Sequence, residues 1–275
     1  MKILASLIIM SLAIACHSQP DYLVKNDLDK INTFGEVESI TGFIYNYGQG
    51  KDSMNKQLFI EFNAIGYKKE VHWFNSEENI SHKQYYKYDS INNQTEIMRY
   101  TADTLLDYKS VEYFDEKGNK TQELSYRSDG SLLKTRKYTY DIKGYKTEMI
   151  YIIHYASGDD YSKWTYEYDS KGYLVKATSF DEKGVSKFEQ TSKTDKNGNE
   201  LEWIRYNKDG SLDFRIDRAY DKYGNEIRYH MYGGDIDDKE TYKYEYDSFN
   251  NWIEKYHFED GKNTVVEIRK IVYYK

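Results

Sequence analysis

One motif recurs along most of the chain and limits what it can fold into. An aromatic residue followed by Asp or Asn stands at Phe62-Asn63, Tyr88-Asp89, Phe114-Asp115, Tyr140-Asp141, Tyr168-Asp169, Tyr220-Asp221 and Tyr246-Asp247, and Thr194-Asp195 fills the remaining place. Successive copies lie 26, 26, 26, 28, 26, 26 and 26 residues apart. A period of this length means structural units that bury a face only against their neighbours.

The columns of the repeat predict strands and turns. Four residues after the aromatic come Gly66, Asn92, Gly118, Gly144, Gly172, Gly198, Gly224 and Asn250, the two residue types that best tolerate positive φ. Aromatic-Asp-x-x-Gly therefore reads as a hairpin loop whose Asp side chain accepts from the turn's own amides. Twelve residues after the aromatic is a second column: Phe74, Tyr100, Tyr126, Ile152, Phe180, Tyr206, Tyr232 and Phe258. A second turn follows it, clearest at Ser128-Asp129-Gly130-Ser131 and Lys208-Asp209-Gly210-Ser211. Between turns the residues alternate as in strands. Each unit is thus two short antiparallel strands. The runs 36–45 and 265–274 read as further strands that cap the two edges. The expected fold is all-β: an elongated, curled antiparallel β-sheet of about eight 26-residue two-stranded repeats over residues 33–275.

Composition supports a folded chain outside nucleic-acid biology. Charged residues are 31% of the 275, but there are 31 Tyr, 11 Phe and 4 Trp against a single Pro, an aromatic content that disordered chains lack. The formal charge of −7 makes nucleic acid an unfavourable partner. One cysteine excludes an internal disulfide or a cysteine metal cluster.

That cysteine closes an N-terminal address. Lys2 precedes the apolar stretch Ile3 to Ile14, which is too short for a permanent membrane span and ends Leu12-Ala13-Ile14-Ala15-Cys16. Residues 1–15 read as a signal peptide, Cys16 as the lipidated residue of a bacterial lipobox, and residues 16–32 as a polar tether. The expected location is the bacterial cell envelope, as an outer-membrane lipoprotein held to the membrane by its lipid.

The units Tyr140-Asp141-Ile142-Lys143-Gly144-Tyr145 and Tyr220-Asp221-Lys222-Tyr223-Gly224-Asn225 resemble the YD repeat of rearrangement-hotspot (Rhs) proteins over roughly residues 60–275. With the lipobox, the opening 35–40 and the closing Asn250-Asn251-Trp252, the chain is similar to small YD-repeat lipoproteins of the Bacteroidota. The resemblance implies a coiled β-shell. Large Rhs proteins enclose a toxic C-terminal domain in such a shell, and this chain ends at its last repeat.

No motif reads as an active site. The histidines form no metal-binding pair, and Gly48-Gln49-Gly50 lacks the rest of a phosphate loop. Glu70, Glu96, Glu148, Glu202 and Glu254 share one column, but a residue recurring in most units serves the repeat, whereas a catalytic carboxylate pair is needed once. The chain reads as a non-enzyme with no metal site and no cofactor. Function is sought where the repeat breaks, in the insertion 152–164, whose Tyr155, Asp159, Asp160, Tyr161 and Trp164 are the candidate ligand-binding residues. Trp73, Trp203 and Trp252 are also off-consensus, with core packing as the plainer explanation. The expected function is binding of a glycan or an envelope protein. The alternatives are a structural spacer without a ligand and an immunity-like protein that binds a toxin.

Overall fold

The computed structural model describes residues 27–46, 54–91, 93–259 and 261–275. The signal segment, Cys16 and the tether up to residue 26 lie outside the described residues. A single-turn helix, α1 (Asp27–Lys30), leads into eighteen strands. These are β1 (Val37–Asn46), β2 (Met54–Phe62), β3 (Lys68–Phe74), β4 (Ile80–Tyr88), β5 (Gln94–Thr101), β6 (Leu106–Phe114), β7 (Lys120–Arg127), β8 (Leu132–Tyr140) and β9 (Lys146–Tyr155). The second half has β10 (Gly158–Tyr168), β11 (Leu174–Phe180), β12 (Ser186–Thr194), β13 (Glu200–Asn207), β14 (Leu212–Tyr220), β15 (Glu226–Gly233), β16 (Ile236–Tyr246), β17 (Trp252–Glu259) and β18 (Lys262–Tyr273).

Every strand pairs antiparallel with the next in sequence, and β1 pairs with β18 as well as with β2. The sheet is therefore a closed eighteen-stranded barrel. This corrects the expected elongated, curled sheet with two separate ends. The physical reason is accumulated twist. Each strand turns against the last by roughly 20–25°, so the two long terminal strands meet, and closure removes both unpaired edges. The runs expected to cap the edges are strands as expected, but they cap each other: Thr41 lies opposite Lys270, Phe43 opposite Ile268 and Tyr45 opposite Val266. Barrels of this strand number are wide enough to keep a lumen after side chains line the wall.

Burial identifies the inner face. Along β16, Glu240, Tyr242, Tyr244 and Tyr246 are half-buried while the alternating Lys239, Thr241, Lys243 and Glu245 are exposed. The same parity around the ring puts Ser110, Ser125, Met149, Trp164, Tyr166, Ala177, Ser179, Ile216 and Met231 on the crowded, concave side. The two clusters of buried apolar side chains come from adjacent strands rather than opposite walls. One joins Leu28, Val37, Ile40, Ile60, Phe62 and Val71, and the other joins Met149, Trp164, Tyr166, Leu174 and Ala177.

The turns that follow the first aromatic column all lie at one rim. Gly66, Gly118, Gly144, Gly172, Gly198, Gly224 and Asn250 have φ between 65° and 88°, as the column predicts, and Asn92 lies outside the described residues. At Gly172 a Cβ would also collide with the Tyr145 hydroxyl. In each turn the Asp Oδ1 accepts two backbone N–H bonds. Asp141 takes those of Lys143 at 2.8 Å and Tyr145 at 2.9 Å. Asn63 does the same for Ile65 at 3.2 Å and Tyr67 at 3.0 Å. A neutral side-chain oxygen therefore suffices for these two bonds. Asp141→Asn is expected to change unfolding stability by less than about 0.5 kcal/mol, and Asp141→Ala to lower it by about 1 kcal/mol. Urea titrations of the two variants check this.

Acid acts on the same turns. Burial alone would raise Asp115 and Asp195, but the side-chain amide and N–H of Asn119 and of Asn199, with neighbouring N–H groups, hold both below the usual aspartate range. Their contribution to stability is present above the unfolded value and lost as pH falls through the folded one. The urea midpoint is therefore expected to drop below about pH 4, and to drop less steeply in Asp115→Asn/Asp195→Asn.

The segment 27–36 straps across this rim. Leu28 N–H donates to Gly66 O at 3.2 Å, in the β2–β3 turn. Asp27 accepts from Lys68 N–H and from the Tyr88 hydroxyl, both at 2.9 Å. Asn32 Nδ2 donates to Gly224 O at 3.0 Å, in the β14–β15 turn, and Phe34 exchanges backbone bonds of 2.6 and 2.7 Å with the Asn251 amide. One short segment thereby ties together turns from separate parts of the ring. The opposite rim carries the second set of turns.

Candidate functional site

Many repeats together build the concave lumen wall. Two residues before the first aromatic column, and on the same face, stand Tyr86, Glu112, Tyr138, Tyr166, Ser192, Arg218 and Tyr244. Tyrosine bodies pack along the wall while their hydroxyls bond to it. Tyr140, Tyr168 and Tyr244 donate to the carbonyls of Lys120, Lys146 and Glu226 at 2.8, 2.9 and 2.7 Å. Rings of successive units touch, as Tyr145 on Tyr168 and Tyr223 on Tyr246, with centroids 5.1 and 4.7 Å apart.

Several charges on this face are paired within the wall. Arg136 binds Glu123 and lies 5.0 Å from the Tyr151 ring. Arg218 binds Glu200 and, at 3.1 Å, Glu226. Lys120 lies between Glu112 and Glu123 at 3.4 and 3.5 Å. Arg269 sits 3.4 Å over the Trp252 ring, and burial lowers its guanidinium to about 10. Burial pushes Tyr86 and Tyr229 up to about 12, so both stay neutral donors at physiological pH. Burial also raises Glu112 and Glu226. The result is a polar, aromatic wall with hydroxyl, carboxyl and guanidinium groups held in fixed places.

The outer wall carries cross-strand ion pairs. Glu96 takes Lys87 and Lys109 at 3.1 and 3.5 Å, Glu148 takes Lys163, Glu189 takes Lys176, and Glu202 takes Lys193 and Arg215 at 2.7 Å each. Three members of the glutamate column singled out in the sequence, Glu96, Glu148 and Glu202, thus make cross-strand ion pairs on the outside. Membrane barrels instead present an outward apolar band about 25 Å tall. Among the described residues no helix is long and apolar enough to cross a membrane.

The insertion 152–164 is a longer hairpin, not a separate loop: β9 and β10 extend to Tyr155 and Gly158. Its five candidate residues divide between the two faces. Asp159 and Tyr161 lie on the outer parity, with Asp159 3.0 Å from His154. Asp160 and Trp164 share the inner parity, and Tyr155 is exposed at the rim opposite Gly158. Trp164 is only 8% exposed and packs edge-on against Phe188. The other tryptophans pack too: Trp73 against the apolar cluster under the strap, Trp203 on Phe214 and Trp252 under Arg269. The sequence reading missed the lumen wall because its residues recur in columns. Parity with the buried aromatic column was the available signal, and it acquires meaning only once the sheet closes.

No family model matches the chain, and no curated protein does. Solved structures with related strand arrangements include a porin-like protein from Bacteroides uniformis ATCC 8492, at 10% identity and TM-score 0.44 over 86% of this chain and 98% of that one. A porin-like protein from Bacteroides vulgatus ATCC 8482 has 11% identity and TM-score 0.39 over 86% and 98%. The Photorhabdus luminescens Tc holotoxin pore has 13% identity and TM-score 0.37 over 82% of this chain and 14% of that chain. These identities and TM-scores are too low to assign a function.

Proposed function

We propose that this chain is a non-catalytic cell-envelope lipoprotein, anchored through Cys16, whose barrel holds a glycan in its lumen. The observation that carries the reading is the inner wall of tyrosine rings interleaved with fixed carboxylates, guanidiniums and hydroxyls. Sugars offer apolar ring faces for stacking and a rim of hydroxyls for such groups. The charged outer wall favours a barrel that stands beside the membrane on its tether rather than through it.

A glycan array probed with the full mature chain tests the ligand. Tyr151→Ala/Tyr229→Ala removes rings from the inner wall, and Asp159→Ala/Tyr161→Ala removes the outer side of the long hairpin. Saturable binding lost only in the first variant supports the lumen. Loss only in the second moves the site to the hairpin. Absence of binding to any glycan overturns the reading and leaves a spacer or a toxin-binding role. Labelling of cells with radioactive palmitate, abolished in Cys16→Ala, tests the anchor.

A further inference from the structure

The mouth away from the strap carries a group of side chains that the repeat does not require. In the β16–β17 pair, Glu240 lies opposite Glu259 and Tyr242 opposite His257. Like charges directly opposite on one face destabilise a sheet. Lys255, the lysine on this face of β17, is engaged elsewhere, 2.8 Å from Glu267 and over the Tyr242 ring. The inner-face Asp238 lies two residues before Glu240 and adds a further carboxylate. Lys255 is thus paired with Glu267 and with neither glutamate of the opposed pair.

The histidine completes a ligand set. Glu240, His257 and Glu259 each offer one ligand atom, all within 4.8 Å of one another. His257 Nε2 is closed off from solvent and has no hydrogen-bond partner. It lies 3.2 Å from Glu240 Oε2. The ring is fixed from its other side: Nδ1 is 3.3 Å from Thr264 Oγ1, and the ring stacks on Tyr242 at 5.2 Å and 24°. Glu240 is itself bonded by the Tyr242 hydroxyl. An imidazole oriented through one nitrogen, with the other aimed at a carboxylate that is itself held, is the arrangement metal sites use.

We propose that Glu240, His257 and Glu259 bind a divalent transition-metal ion of the zinc class at this mouth of the barrel. One imidazole and two carboxylates suit a borderline cation. Calcium and magnesium prefer oxygen-only sets. Three protein ligands leave a coordination position open toward the lumen. The site does not depend on the glycan reading.

The test uses the tag-free full chain, with Cys16 alkylated, stripped by a chelator and titrated with Co²⁺. The expected result is one ion per chain, visible absorption of a low-coordinate cobalt site, and its displacement by Zn²⁺. His257→Ala and Glu240→Gln are expected to weaken binding by at least about tenfold, while His230→Ala, beside Asp237 on the outer face, leaves it unchanged. Glu259 is exposed, so Glu259→Gln gives a variant that folds if the other two do not. Absence of binding by the wild-type chain, or undiminished binding by Glu259→Gln and the foldable variants, overturns the proposal.

Discussion

Cysteines introduced at Thr41 and Lys270, in a chain with Cys16→Ser, are expected to form an intramolecular disulfide in near-quantitative yield. The two residues are directly opposite across the β1–β18 seam and share the outer face. Opposite residues of an antiparallel pair have Cα atoms about 4.5–5.5 Å apart, within the range a disulfide spans. The loop it closes is nearly the whole barrel, so the chain-entropy model gives a stabilisation of roughly 5 kcal/mol, less whatever strain the bond introduces. Non-reducing electrophoresis and urea titration with and without reductant read both effects. The pair Thr41→Cys/Ile271→Cys is the control, because successive residues point to opposite faces. If the first pair yields only intermolecular dimers, the ring is not closed in solution.

Phe62→Ala is expected to cost about 3–5 kcal/mol, the usual loss for a fully enclosed phenylalanine. Phe62 has no exposed surface, and it shares its cluster with Leu28 of the strap and with Ile40, Ile60 and Val71 of the first three strands. Leu28→Ala is expected to cost about 2–5 kcal/mol. The double variant should cost measurably less than the sum, because both deletions open one shared cavity. Ile142→Ala is the reference, since Ile142 is 92% exposed in its turn, and should stay within about 0.5 kcal/mol. Equilibrium urea unfolding decides. A small loss for Leu28→Ala together with strict additivity would show that the strap does not dock over this rim.

What the residues reveal in isolation is local. The turn aspartates, the positive-φ column and the strand alternation were legible because each is set by a few neighbouring residues, and Asp141 or Gly144 says as much alone as in the barrel. Closure was not legible. It depends on twist and tilt summed over all strands, and no single unit records that sum. The runs at Val37–Asn46 and Lys262–Tyr273 were recognisable as strands, yet their pairing with each other is a property of the ring. The insertion drew attention as a break in the repeat, but its extra residues lengthen one hairpin and its tryptophan fills the wall. The His257 cluster was hidden for a similar reason. Glu240 and His257 come from adjacent strands, and a spacing of seventeen residues through a turn resembles no ligand motif.

The strand order also bears on how the ring is made. Seventeen of its seams join consecutive strands, and only the β1–β18 seam joins distant ones. Neighbouring hairpins form fast, whereas a contact between the two ends must wait for the entropy of closing the longest possible loop. The last event is then a single ring-closing step, taken by a nearly finished shell with two long matching edges. Until that step, the last strand of one copy fits the first strand of another as well as its own. Recovery on refolding is therefore expected to fall steeply with protein concentration, at concentrations where the completed barrel stays monomeric.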